Sequence, residues 1–257
     1  MLKALAALAL ALPGLAAAQM PQPAQIQLLP GWRMADGTHM AALDIRLDPG
    51  WKTYWRSTAT GIAPRLDYGA SENIAALEPI FPAPRVIPLN GGQVVGYETR
   101  LTLPLKITLK DPNAPVRLDL KADLGICEDV CLPLTAEVAT DLPAGSGETP
   151  EITRALAAAP RAGTAYRAQC AIQPAGRDWQ ITANVSGGAE AETILIETGT
   201  DSVWSSFPAT APQPDGATAT ATLQQFTTGP LTLSRDQIRL TLLTNSGAFE
   251  IEGCPAG

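Results

Sequence analysis

The stretch that most restricts the possible folds is residues 116–138. One alternating run, Val116-Arg117-Leu118-Asp119-Leu120-Lys121-Ala122, leads into Cys127-Glu128-Asp129-Val130-Cys131, and a second, Leu134-Thr135-Ala136-Glu137-Val138, leads out. Period-2 alternation on both sides of a short polar break predicts two antiparallel strands joined by a tight connection. The two cysteines then face each other across the mouth of a hairpin. Facing residues at a non-hydrogen-bonded position have Cα atoms about 4.5 Å apart, close enough for a disulfide. A small, exposed ring of this kind opens easily, so this hairpin is expected to be the functional centre.

Disulfides persist outside the cytosol, and the first residues predict export. Met1-Leu2-Lys3 supplies a positive start, residues 4–15 an apolar core, and Ala16-Ala17-Ala18 the small residues of a cleavage site. Residues 1–18 therefore read as a secretory signal peptide. The apolar run is shorter than the ~20 residues a membrane span needs, and no later segment is a better candidate. A net charge of −7 argues against nucleic acid or an anionic membrane surface as a partner.

Four cysteines allow three pairings. Spacing favours Cys127 with Cys131 and Cys170 with Cys254. Closing the long loop of about 85 residues stabilises by roughly 4–5 kcal/mol, against about 2 for the short ring. The long bridge suits a structural staple. The short one can open with little loss of fold.

The remainder reads as short strands separated by turns. Residues 24–29 and 40–47 predict strands, the second with one face buried, around a turn at Asp36-Gly37. Trp51-Lys52-Thr53-Tyr54-Trp55-Arg56 gathers three aromatic rings, which either fill a core or line the disulfide. Residues 63–68 and 73–78 predict further strands. Residues 79–92, with Pro79, Pro82, Pro84 and Pro88 and ending in Leu89-Asn90-Gly91-Gly92, predict a long loop. Residues 94–107 resume the strand pattern.

Residues 141–150 are the best boundary, giving domains at 19–145 and 150–257. A short helix is predicted over 151–159, with Thr149 as N-cap and Pro150 at its first position. Beyond it, residues 166–172, 179–185, 193–197, 217–223, 231–233, 238–243 and 248–251 predict a second all-β unit. The fold class expected is all-β, with two β-sandwich domains.

Gly50-Trp51-Lys52-Thr53-Tyr54-Trp55-Arg56, Gly96-Tyr97-Glu98 leading into Leu101-Thr102-Leu103-Pro104-Leu105, and residues 127–133 together resemble the N-terminal periplasmic domain of DsbD-type disulfide reductases. The likeness is closer to the related ScsB-like proteins, which also carry a short C-x-x-x-C. It spans roughly residues 30–139; the second unit matches only in being β-rich. The resemblance implies an immunoglobulin-like first domain whose cysteine pair shuttles two electrons without a cofactor. It implies a thioredoxin-like or membrane disulfide reductase as donor and exported oxidoreductases as clients, in the periplasm.

By the same likeness Cys127 is the buried cysteine and Cys131 the partner-linked one. Leu89 and Asn90 lie in the segment corresponding to the family's cap loop, and Trp51, Tyr54, Tyr97, Glu128 and Asp129 surround the pair. The family's aromatic cap residue has no counterpart in residues 88–92, and the C-x5-C spacing of the best-known members is shortened. The chain carries no membrane or thioredoxin domain of its own, so separate proteins are expected to supply electrons.

Chemistry agrees with a selective role. Exchange needs a thiolate attacking a disulfide sulfur, and Glu128 and Asp129 between the cysteines should raise the thiol pKa values. No Lys, Arg or His within that loop lowers them. A sluggish thiol outside a docked complex is expected. Two rival classes remain. One is a copper-binding protein using the same cysteines, with Met34, His39 and Met40 as a second cluster of soft ligands. The other is a non-catalytic structural binding module.

Overall fold

In the computed structural model, residues 23–57, 61–89 and 92–257 are described. The predicted signal peptide and Asn90 lie outside them. The first sandwich comprises β1 (Ala24–Arg33), β2 (His39–Leu47), β3 (Lys52–Tyr54), β4 (Arg65–Asp67), β5 (Ile74–Pro79), β6 (Arg85–Leu89), β7 (Gly92–Glu98), β8 (Arg100–Leu109), β9 (Arg117–Cys127) and β10 (Cys131–Asp141). One antiparallel sheet has the order β1-β2-β8-β5. The other runs β10-β9-β3-β7-β6, with β4 also pairing β9. Their inner faces enclose one core, in which Leu43, Ile45, Trp55, Leu103, Leu118 and Leu124 are sealed from solvent. This is an immunoglobulin-like sandwich.

A short helix, α1 (Pro150–Ala157), separates it from the second sandwich. That sandwich comprises β11 (Arg161–Ala162), β12 (Arg167–Ala175), β13 (Asp178–Ser186), β14 (Ala191–Glu197), β15 (Val203–Ser205), β16 (Ala209–Gln213), β17 (Gly216–Gln225), β18 (Arg239–Thr244) and β19 (Gly247–Glu252). Its sheets are β11-β19-β18-β14 and β12-β13-β17-β15, with β16 on β17. Alternation is the reason for the second core: Ile181, Ala183 and Val185 of β13 and Ala217, Ala219, Ala221 and Leu223 of β17 all point inward. Cys170 and Cys254, 5.4 Å apart at Cα, are bonded inside it.

Four expectations are corrected. Strand β2 is buried on both faces, because α1 covers the outer one: Ile152 packs against Met40, Ala42 and Trp32. Residues 85–89 form β6, paired with β7 as a hairpin. Proline is tolerated there because β6 is an edge strand, whose outer side needs no donor. The run at 94–107 divides in two, since Thr99 (φ 60°) turns the chain from one sheet into the other. Residues 231–233 are irregular and form no strand. Thr149 does sit at the helix N-cap position, but its side chain makes no capping bond.

The two sandwiches are in contact. Strand β14 is buried on both faces: Ile194 and Ile196 enter its own core, while Leu195 enters the core of the first sandwich. Leu243 of β18 packs there too.

Candidate functional site

Strands β9 and β10 pair along their whole length, and the last pair of the register is Cys127 opposite Cys131. The two are disulfide-bonded with Cα atoms 4.1 Å apart. Glu128, Asp129 and Val130 form the exposed tip. The two sulfur-bearing residues differ in environment. Cys127 is 1% exposed, because β3 flanks it on the side away from β10, with Lys52 opposite it in register. Cys131 begins the edge strand and is exposed.

Tyr54 lies over the bridge. Its hydroxyl is 2.7 Å from Cys127 Sγ and 3.0 Å from Cys131 Sγ. Burial pushes this phenol above its ordinary pKa, so it remains protonated and able to donate. Two glycines make room for the ring. A Cβ at Gly61 would stand 1.9 Å from Tyr54 Cε1, and one at Gly125 would stand 2.8 Å from Cδ2. A glycine inside an otherwise alternating strand is a sequence signal of close approach, and Gly125 carried it unread.

Leu89, Ile87 and Val94, from the β6–β7 hairpin, pack with Tyr54 and Cys127. Aliphatic side chains of this hairpin therefore share one apolar cluster with Tyr54 and the buried cysteine. Ile62, Val130 and Leu132 are 49%, 66% and 41% exposed, and Val130 and Leu132 are the sequence neighbours of Cys131. Ile62 abuts Gly125. This apolar collar had no signature in the sequence, because only tertiary placement brings Ile62 beside the hairpin.

The other residues singled out are placed as follows. Glu128 stands at the hairpin tip with its carboxylate over Gly50, and Asp129 is exposed beside it. Trp51 and Tyr97 face the main core rather than the sulfurs, and the Tyr97 hydroxyl donates to Pro82 O at 2.8 Å. Register explains this: on β3 and β7 the side chains alternate between faces, and only Tyr54 lies on the side of the bridge.

Met34, His39 and Met40 do not form a ligand set. Met34 and Met40 pack in the apolar cluster under α1, while His39 is fully buried with Nε2 2.6 Å from Pro30 O. Adjacent strand residues point to opposite faces, so His39 and Met40 cannot grip one ion. Among the described residues no group of three or more His, Cys, Asp or Glu is placed to hold a metal.

A local hairpin with one buried and one exposed sulfur, covered by a phenol, is suited to chemistry at sulfur. Residues 17–143 match the family described as thiol:disulfide interchange protein DsbD, N-terminal. This half of the chain belongs to that DsbD N-terminal family.

The fold is similar to that of the N-terminal periplasmic domain of ScsB from Proteus mirabilis. At 18% sequence identity the TM-score is 0.70, covering 93% of this chain and 97% of that one. The shared architecture therefore extends through the second sandwich, well past the motifs near the cysteines. No curated protein matches the chain. As a DsbD-type domain it is a thiol–disulfide interchange module. Among the described residues no helix is long and apolar enough to cross a membrane.

Proposed function

We propose that the chain is a periplasmic electron-transfer module, exported by cleavage of residues 1–18. Its unit at 19–145 exchanges thiols with protein partners, and the unit at 150–257 supports it. A thioredoxin-like protein or membrane disulfide reductase donates electrons, and exported oxidoreductases receive them. The observation that carries this reading is the asymmetry of the pair. Cys131 is open to an incoming thiolate, whereas Cys127 lies beneath Tyr54 and Leu89.

A partner thiolate attacks Cys131 Sγ. The Cys127–Cys131 bond breaks, and its electron pair leaves on Cys127 Sγ, beside the Tyr54 hydroxyl, before a proton is taken up. The partner's second thiolate then attacks its own sulfur in the mixed disulfide and releases Cys131. The partner dithiol is oxidised to a disulfide, and this pair is reduced by two electrons and two protons. Running the same steps in reverse on a client disulfide returns the bridge. The exposed collar of Ile62, Val130 and Leu132 supplies apolar area for the docked partner.

The test is trapping. A thioredoxin-like protein lacking its resolving cysteine is incubated with oxidised protein, in the intact form and as the Cys127→Ala and Cys131→Ala variants activated as mixed disulfides with a small thiol. Capture through Cys131 by the Cys127→Ala variant, and little by Cys131→Ala, is expected. Failure of both variants to capture protein, while the intact pair still cycles with dithiothreitol, removes the transfer reading.

A further inference from the structure

Arg56, just past β3, ties the redox strand to the second sandwich. It follows Tyr54 by two residues, and its side chain reaches across to the second sandwich. Its Nε is 3.0 Å from Glu197 Oε1 and its Nη2 2.8 Å from Glu197 Oε2, a bidentate pair, and Nη2 also contacts Glu250. Glu197 ends β14, and Glu250 lies on β19. Arg239 of β18 pairs with Glu250 at 3.3 Å. The guanidinium also lies over the Trp55 ring, 4.5 Å from its centroid.

Glu197 shares a face of β14 with Leu195, which sits in the first sandwich's core. The grip on Arg56 is thus part of a packed contact. A forked guanidinium held by two carboxylates fixes direction as well as charge. What it fixes is the end of a three-residue strand, whose last member is Tyr54.

We propose that the second sandwich positions the redox pair, with Glu197 and Glu250 holding Arg56 and thereby setting the Tyr54 hydroxyl against the two sulfurs. Arg56, Glu197 and Glu250 are positioning residues, since none of them touches sulfur. The inference rests on the redox reading of Cys127 and Cys131 but concerns their tuning, so it is tested without any protein partner.

The experiment uses the full mature chain, as Glu197→Gln, Arg56→Lys and Tyr54→Phe, with each of the first two also combined with Tyr54→Phe. The readouts are the rate at which dithiothreitol opens the Cys127–Cys131 bridge, the pH profile of the released thiols, and the melting temperature. Glu197→Gln keeps the volume, and Arg56→Lys keeps the charge but loses the fork, so folding is retained in at least one of them. Each is expected to change the opening rate by at least about twofold, the low end for groups coupled through shared backbone. That change should vanish in the Tyr54→Phe background. A lower melting temperature with unchanged rate and pH profile overturns the proposal. So does an effect of equal size with and without the Tyr54 hydroxyl. Loss of partner trapping in the unaltered protein would instead count against the redox reading, so the two failures are distinguishable.

Discussion

Replacing Tyr54 by Phe removes one oxygen and nothing else from the centre of the site. The ring stays between Gly61 and Gly125, where a Cβ on either glycine would collide with it, so the packing of the bridge should survive. What is lost is a donor 2.7 Å from Cys127 Sγ. In the reduced protein that donor stabilises the thiolate over the thiol. A hydrogen bond to a charged group contributes about 1.5–3 kcal/mol, and each pKa unit corresponds to about 1.36 kcal/mol. The Cys127 thiol of the reduced protein should therefore titrate at higher pH in the Tyr54→Phe variant.

The assay is a pH titration of the Cys127 Cβ carbon-13 shift in a Cys131→Ser background, which leaves one thiol free and the Cys170–Cys254 staple intact. A less acidic Cys127 is also a poorer leaving group, so opening of the intact bridge by a partner should slow. A titration that is unmoved, or that moves down, with the fold preserved would refute the assignment of Tyr54 as a donor to this sulfur.

Replacing both Cys170 and Cys254 by Ala should cost about 4–5 kcal/mol in urea unfolding, because they bridge 84 positions; equal losses from opening either bridge would contradict the staple role. His39 is the chain's only histidine, so its imidazole can be followed alone by NMR, and burial should place its midpoint below 6.5. Since its folded value lies below the unfolded one, its contribution to stability is complete above about pH 6.5 and declines as pH falls through the folded value; a midpoint at or above 6.5 would show that the ring is not sealed. Asp44 is fully buried, and although burial pushes its carboxyl up, hydrogen bonds from Arg100, Gln27 and Thr102 hold it below 3.8. Asp44→Asn should cost about 1.5–3 kcal/mol near neutral pH, and the difference from the unaltered protein should shrink as pH falls through the folded value, as read by denaturant titrations at several pH values.

The all-β character and most strands were legible because alternation is a local property. Val116-Arg117-Leu118-Asp119-Leu120-Lys121-Ala122 announces one buried face without reference to the rest of the chain. Edge and centre are not local properties, which is why residues 85–89 passed for a loop and β2 for a half-exposed strand. A proline-rich segment pairs when its open side faces solvent, and a strand is covered twice when a helix lies on its back. The ring in contact with the sulfurs was also hidden. Trp51, Tyr54 and Tyr97 are equally plausible by composition, and only the register of β3 against β7 and β9 selects Tyr54.

The chain's own pattern was enough to specify a cysteine-mouthed hairpin, since a separation of four residues between two alternating runs brings Cys127 and Cys131 together. It could not specify which sulfur is covered, nor that Arg56 ends between Glu197 and Glu250, 141 and 194 positions away. Contacts across such separations arise only once both cores have closed and Leu195 has docked one sandwich on the other. Pairing over short loops follows from chain geometry, whereas burial and long-range charge pairing belong to the assembled whole.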